Sequence, residues 1–396
     1  MNVLTILNAR IITPQGTIQN GTVRIEGGKI AEVKEGKPEI VSGTAIDAGG
    51  RYVAPGFIEL HVHGGDGADF MDRTLEAFET ITRFYASRGV TALQATTSAA
   101  PLEDLIEVLE TARVWREETH RPGALILGVH LEGPFLNVEQ RGCQPLQNVR
   151  IPSAVEVERL MEYADVITEM TLAPELPGAL ALIRELARRG VLAAAGHSQA
   201  REKDVLAAME AGLRHTTHIY SSMSTVIREG PWRIPGLLET TLAYDELTTE
   251  MIADGKHLPP TLMRLVLKCK GLDRLCLVSD AMRGAGRAEG DTFLVAGQEV
   301  IIEDGVAMLP DRTAFASSIT PLDTMVRNVI EMLGLSVEQA VQLVTRNPAR
   351  VLGIEARKGT MEPGKDADLV IFDDQIQVQT TIVGGKVIYA EMQSRS

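Results

Sequence analysis

Pro55-Gly56-Phe57-Ile58-Glu59-Leu60-His61-Val62-His63-Gly64 decides how the rest of the chain is read. Phe57, Ile58, Leu60 and Val62 are apolar and β-favouring, so the stretch reads as a strand. Pro55-Gly56 punctuates its start and Gly64-Gly65 its end. Side chains alternate across a strand, so His61 and His63 share a face. Two imidazoles on one face at the end of a strand can bind one metal ion.

Working outward, the N-terminal side holds short strands. Val3–Leu7, Thr22–Ile25 and Ile30–Val33 are β-like, with turns at Gly21, Gly27-Gly28 and Gly49-Gly50. On the C-terminal side strands alternate with helices. Leu75–Arg88 is helical, Gly89–Thr96 a strand, Leu102–Glu118 a helix and Ala124–Leu131 a strand. Ser153–Ala164 is helical, Ile167–Ala173 a strand, Gly178–Arg189 a helix and Val191–Ala195 a strand. Arg201–Ala211 is helical, Thr216–His218 ends a short strand, and Thr249–Ala253 and Leu275–Ser279 are strands. About eight such units predict a parallel (β/α)8 barrel, in which active residues sit at strand C-termini. An open doubly wound sheet is the rival, but no GxGxxG opens a first helix. Short strands return between Phe293 and Ala307, and helices follow at Leu322–Leu333 and Val337–Leu343. Gly359–Ala390 is again β-like. The expected division is a barrel over residues 55–358 and a small β-sandwich domain made of residues 1–54 and 359–396.

A net charge of −14 argues against nucleic acid or an anionic membrane surface as partner. Cys143, Cys269 and Cys276 form no CxxC pair, which suits a reducing cytoplasm. Neither a signal-peptide pattern nor an apolar run long enough to span a membrane is read.

Polar residues gather at the strand ends: His61 and His63, His130 and Glu132, His197-Ser198, His218, and Ser279-Asp280. Five of the eight histidines fall there, which chance would scatter. Imidazoles with one or two carboxylates suit zinc, iron or manganese. Glu132 could bridge two ions, with His61 and His63 on one and His197 and His218 on the other. A bound ion brings the pKa of its water toward neutrality. Asp280, counted among the ligands, could take that water's proton and pass it to a leaving group. Ser198 and Cys143 have no evident base partner.

The motifs carrying these residues resemble the amidohydrolase superfamily, and within it the N-acetylglucosamine-6-phosphate deacetylases. Besides the opening stretch they are His130-Leu131-Glu132-Gly133-Pro134-Phe135, Ala195-Gly196-His197-Ser198, Ala253-Asp254-Gly255-Lys256-His257, Ser279-Asp280-Ala281-Met282 and Gly364-Lys365-Asp366-Ala367-Asp368-Leu369. The resemblance covers nearly the whole chain. It implies a metal-dependent cytoplasmic deacetylase of a small molecule, usually a homodimer. Glu132, His197 and His218 match the principal metal ligands, His61 and His63 the ligands of members with a second ion, and Asp280 the general base and acid. His257 matches a sugar contact. Arg228 matches an arginine that meets phosphate, sometimes across a dimer interface.

The chain departs from the family where substrate would sit. Gly142-Cys143-Gln144 stands where Gly-Ala-His is usual, and Ser221-Ser222 replaces an Asn-Ala pair. Gln144, Ser221 and Ser222 are therefore expected substrate contacts. An intact metal frame with an edited substrate shell fits a changed substrate better than an inactive enzyme. The alternatives are hydrolysis of another N-acyl or cyclic amide, and a non-catalytic metal-binding scaffold, for which a retained Asp280 has no use.

Overall fold

The computed structural model describes residues 3–38, 43–118, 122–295, 298–312 and 315–391. Its centre is a ring of eight parallel strands: Phe57–Glu59, Val90–Thr97, Leu125–Glu132, Ile167–Leu172, Leu192–Ala195, His215–Thr216, Thr248–Ile252 and Leu275–Val278. Each pairs with its neighbour in sequence, as right-handed crossovers through intervening helices require. The ring closes beyond the regular ladder, where Val62 bridges Ala281 and Asp280 N–H donates to His61 O at 2.9 Å. The expected barrel is thus present. The ladder of its first strand stops at Glu59, and an extended path carries His61 and His63 onward to the closing seam.

Both ends of the chain meet in a second sheet. Its order is Lys386–Ala390, Val378–Val383, Leu369–Phe372, Tyr52–Pro55, Val3–Thr13, Gly16–Glu26 and Lys29–Glu35, with Thr44–Asp47 paired to Val3–Thr13. Tyr52–Pro55 joins the halves, parallel to the first strand and antiparallel to Leu369–Phe372. The sheet has its own apolar core, which includes Ile6, Ile11, Val23, Ile25, Val53 and Leu369. Gly56 is the step from this sheet into the barrel. A Cβ there would lie 2.1 Å from the Thr91 side chain, so only glycine lets the two strands approach so closely.

The Asp366-Ala367-Asp368 motif fastens the same junction. Asp368 O accepts from Gly56 N–H at 2.8 Å, and its carboxylate takes the Lys358 ammonium and Gly384 N–H. After the eighth barrel strand an antiparallel sheet of Thr292–Val295, Gln298–Glu303, Val306–Met308 and Phe315–Ser317 rises beside the C-terminal mouth. The sequence reading did not anticipate the helix Leu237–Ala243 or the hairpin Ile227–Glu229/Trp232–Ile234. The helix expected over 153–164 is shorter, Ala154–Met161, starting after a Ser153 cap that accepts from Glu156 N–H. Among the described residues, no helix is long and apolar enough to cross a membrane.

Candidate active site

The strand ends converge on Glu132, the last residue of Leu125–Glu132. Its Oε1 lies 3.0 Å from His197 Nε2 and 3.0 Å from His218 Nε2, and 3.5 Å from His61 Nε2. Its Oε2 lies 3.5 Å from His63 Nε2. Asp280 Oδ1 completes the ring, 3.4 Å from His61 Nε2 and 3.2 Å from His63 Nε2. All of these groups are buried. His197, His218 and Asp280 have φ values of 48°, 27° and 45°, a left-handed backbone that non-glycine residues adopt at a cost. The turns bring His197 and His218 against Glu132, and Asp280 against His61 and His63.

Hydrogen bonds set the tautomers. His197 Nδ1–H donates to Gln140 O at 2.8 Å, and His61 Nδ1–H to Glu250 Oε2 at 3.0 Å. Each Nε2 is then the ring nitrogen turned toward Glu132. His61 Nε2 and His63 Nε2 are 3.3 Å apart, and His197 Nε2 and His218 Nε2 3.2 Å apart. Ring nitrogens so close repel unless a proton or a cation lies between them. The two triads His61, His63, Glu132 and Glu132, His197, His218 each bring their donor atoms within 4.8 Å. Two imidazoles and a carboxylate are a familiar donor set for a divalent ion, so the residues present fit the metal that the motifs imply.

The charges of the ion-free cluster agree. Burial opposes ionisation of Glu132, but the surrounding His197, His61 and His218 hold its carboxyl well below the usual range. Asp280 is lowered in the same way by His61 and His63. Burial pulls the imidazoles down, yet Asp280 and Glu132 raise His63 to about 9, and Glu132 does the same for His218, also to about 9. Protons thus stand where cations would.

The cluster floors a cleft of about 340 Å³ whose walls include Ser221, Ser222, His257 and Phe315. A cavity of about 390 Å³ opens among Trp115, Leu125, Ile354 and Lys358, at the start of the third strand. Its Lys358 charge is already met by Asp368 and Asp366, and its Arg357 by Asp366. The smaller cleft is the one into which the histidine and carboxylate cluster opens.

The other predicted residues are placed unequally. His257 is ordered by its own motif: Asp254 Oδ1 accepts from the N–H groups of Lys256 and His257 at 2.8 Å, and Oδ2 accepts from His257 Nδ1–H at 2.6 Å. The imidazole lines the cleft against Phe315, ring centres 5.1 Å apart. Gln144 also lines it, but its amide is engaged by the protein. Nε2 donates to Glu132 Oε2 at 2.5 Å, and Oε1 accepts from Ala99 N–H at 2.7 Å. Arg228 stands apart, exposed on the hairpin with its Nε–H on Gly230 O at 2.7 Å.

Sequence reasoning missed what lies beneath. Glu59, Glu169, His215 and Glu250 fill the barrel interior, fully buried, together with His130. His215 Nδ1–H meets Thr248 Oγ1 at 2.7 Å, and His215 Nε2 lies 3.5 Å from Glu250 Oε1. Burial pushes Glu59 up to about 8 and drives His130 down to about 3, while Glu250 stays ionised among His61 and His215. The available signal was a glutamate in the middle of an otherwise apolar strand, as in Thr249-Glu250-Met251-Ile252.

Comparison with known proteins places this geometry. The sequence pattern of the Amidohydrolase family matches residues 52–388. N-acetylglucosamine-6-phosphate deacetylase of Bacillus subtilis (strain 168) is 36% identical over 391 residues, 98% of this chain and 97% of that one. N-acetylgalactosamine-6-phosphate deacetylase of Escherichia coli O157:H7 is 33% identical over 382 residues, 96% of this chain and 97% of the relative. Among solved structures, N-acetylglucosamine-6-phosphate deacetylase from Pasteurella multocida superposes with a TM-score of 0.91 at 28% identity, covering 98% of this chain and 100% of that chain.

Proposed function

Since the chain belongs to the Amidohydrolase family, we propose that it removes the acetyl group from an N-acetyl amino sugar 6-phosphate, with N-acetylglucosamine 6-phosphate as its substrate. The observation that carries the reading is Glu132, with one oxygen 3.0 Å from both His197 and His218 and the other turned to His63, and Asp280 facing His61 and His63. We place a divalent ion, zinc, iron or manganese, against His197, His218 and Glu132, and a second against His61, His63 and Glu132. Such ions supply Lewis acidity toward the acyl carbonyl and acidify a water for attack.

The chain's own groups do the rest. Asp280 accepts the proton of the attacking water as the carbon–oxygen bond forms. It returns that proton to the amide nitrogen as the carbon–nitrogen bond breaks, giving acetate and a free amine. His257, fixed through Asp254, orients the sugar, and Ser221 and Ser222 offer hydroxyls to the phosphate end. Arg228, exposed on its hairpin, meets the phosphate across the interface of a cytoplasmic homodimer. The barrel of residues 55–358 is the catalytic unit, and residues 1–54 with 359–396 its β-domain.

Acetate release from N-acetylglucosamine 6-phosphate by metal-reconstituted protein tests the assignment. No release from that substrate or its galactosamine epimer would overturn it. The galactosamine epimer is the second reading, supported by similarity to the Escherichia coli enzyme. Its preferential turnover would replace the first.

A further inference from the structure

Glu250 sits on the seventh barrel strand, fully buried below the cluster. Its Oε2 accepts two hydrogen bonds, from His61 Nδ1–H at 3.0 Å and from the backbone N–H of His218 at 3.1 Å. His61 belongs to one histidine pair and His218 to the other. A single oxygen atom therefore holds one member of each.

The remaining contacts show why this oxygen matters. His197 is oriented through its ring by Gln140 O. His218 is not: its Nδ1 is buried without a hydrogen-bond partner among the described residues, as is that of His63. The segment carrying His218 is gripped through its backbone instead. Glu250 takes the His218 N–H on its carboxylate and the Ile219 N–H on its own carbonyl, the latter at 2.9 Å. That grip falls where the chain holds φ at 27°, a conformation that needs external support. On the other side, the carboxylate against His61 Nδ1–H holds the ring so that Nε2 is turned to the cluster. Glu250 is thus the charged group that orients both halves, and it touches neither substrate nor the proposed ion positions.

We propose that Glu250 is a positioning residue that ties the two metal positions together, so that filling either one orders a ligand of the other. The inference rests on the two-ion reading above. Binding at one position immobilises its histidine against Glu250 Oε2. The same oxygen then stands fixed for the second histidine, whose ordering costs less, and the ions bind with positive cooperativity.

Zinc titration into metal-free protein, read by competition with a chromogenic chelator, separates the possibilities. The unaltered chain should take up two ions cooperatively. Glu250→Gln is nearly isosteric but uncharged, and both dissociation constants should rise about 10- to 100-fold, the usual effect of losing such an orienting partner. Glu250→Asp keeps the charge but retracts it from both histidines, and should weaken both positions as well. Thermal unfolding of the metal-free variants is the control. A purely structural role lowers that midpoint and leaves zinc affinity alone, which would overturn the proposal. Weakening at only one position would overturn it too, since the claim is that one atom serves both. Fewer than two ions in the unaltered chain would remove the two-ion reading and this inference together. Two ions there, with unchanged affinities in both variants, would remove this inference alone.

Discussion

Loading the site with metal should expel about two protons per chain. In the ion-free protein, His63 and His218 each have a pKa of about 9, because Asp280 and Glu132 outweigh the effect of burial. Both are imidazolium at pH 7, and an imidazole must be neutral to bind a metal. Deprotonating a group two units below its pKa costs about 2.7 kcal/mol, so the pair costs about 5 kcal/mol, near four powers of ten in the overall binding constant. Affinity should therefore climb steeply from pH 7 to 9 and level off above. Calorimetric zinc titrations in buffers of different ionisation enthalpy count the protons directly. The same shifts set the stability of the ion-free protein. Histidine pKa values raised from about 6.5 contribute stability that is complete below that pH and lost as pH rises through about 9. Glu132 and Asp280 are depressed, so their contribution is present above about pH 4 and lost on acidification. Chelated protein should melt progressively earlier between pH 6.5 and 9, and metal-replete protein should not. Release of less than about half a proton per chain, or an affinity flat across that range, would refute the reasoning.

Asp280→Asn should lower kcat by about 100- to 10,000-fold, the range for general acid–base help, while elemental analysis finds the metal content much less changed. Gln144→Ala removes the acceptor of the buried Ala99 N–H and the donor to Glu132. Urea unfolding should show a loss of about 1–3 kcal/mol, with faster metal loss to chelators. Lys358→Met leaves Asp368 buried without its cation at the junction of sheet and barrel. The cost should be about 3–5 kcal/mol by the same method, and a neutral result would show that the junction tolerates the bare carboxylate.

The site was legible in the sequence where local patterning fixes it. His61 and His63 share a face because a strand alternates, and Glu132, His197 and Asp280 each follow an apolar run that places them at a strand end. The barrel followed from the same alternation of strand and helix. Glu250, Glu169 and His215 were not read, because their meaning depends on what lies across the barrel. Glu250 and His61 are 189 residues apart in sequence and 3.0 Å apart in space. No periodicity links them, since strands buried on both faces read as nearly continuous apolar runs in which a single glutamate looks like noise. Arg228 was named from its motif, and its placement is a separate matter. It lies exposed on its hairpin with its Nε–H on Gly230 O, a setting that a motif match does not specify.

Gln144 shows how a residue can be located correctly and its contacts still differ from the simplest expectation. A glutamine where the family uses histidine suggests an amide offered to the acyl group. The structure spends both ends of that amide on the protein, on Ala99 N–H and Glu132 Oε2. What the amide acts on directly is the carboxylate between the two histidine pairs. A charge-assisted bond to Glu132 Oε2 fixes which oxygen faces His63 and which faces His197 and His218. With no imidazole at this position, polarising the acyl carbonyl would be work for the ions that the two histidine pairs and Glu132 would hold. Retention of both His61 and His63 is consistent with that division of labour, since a site without a protein-borne electrophile has more need of the second ion.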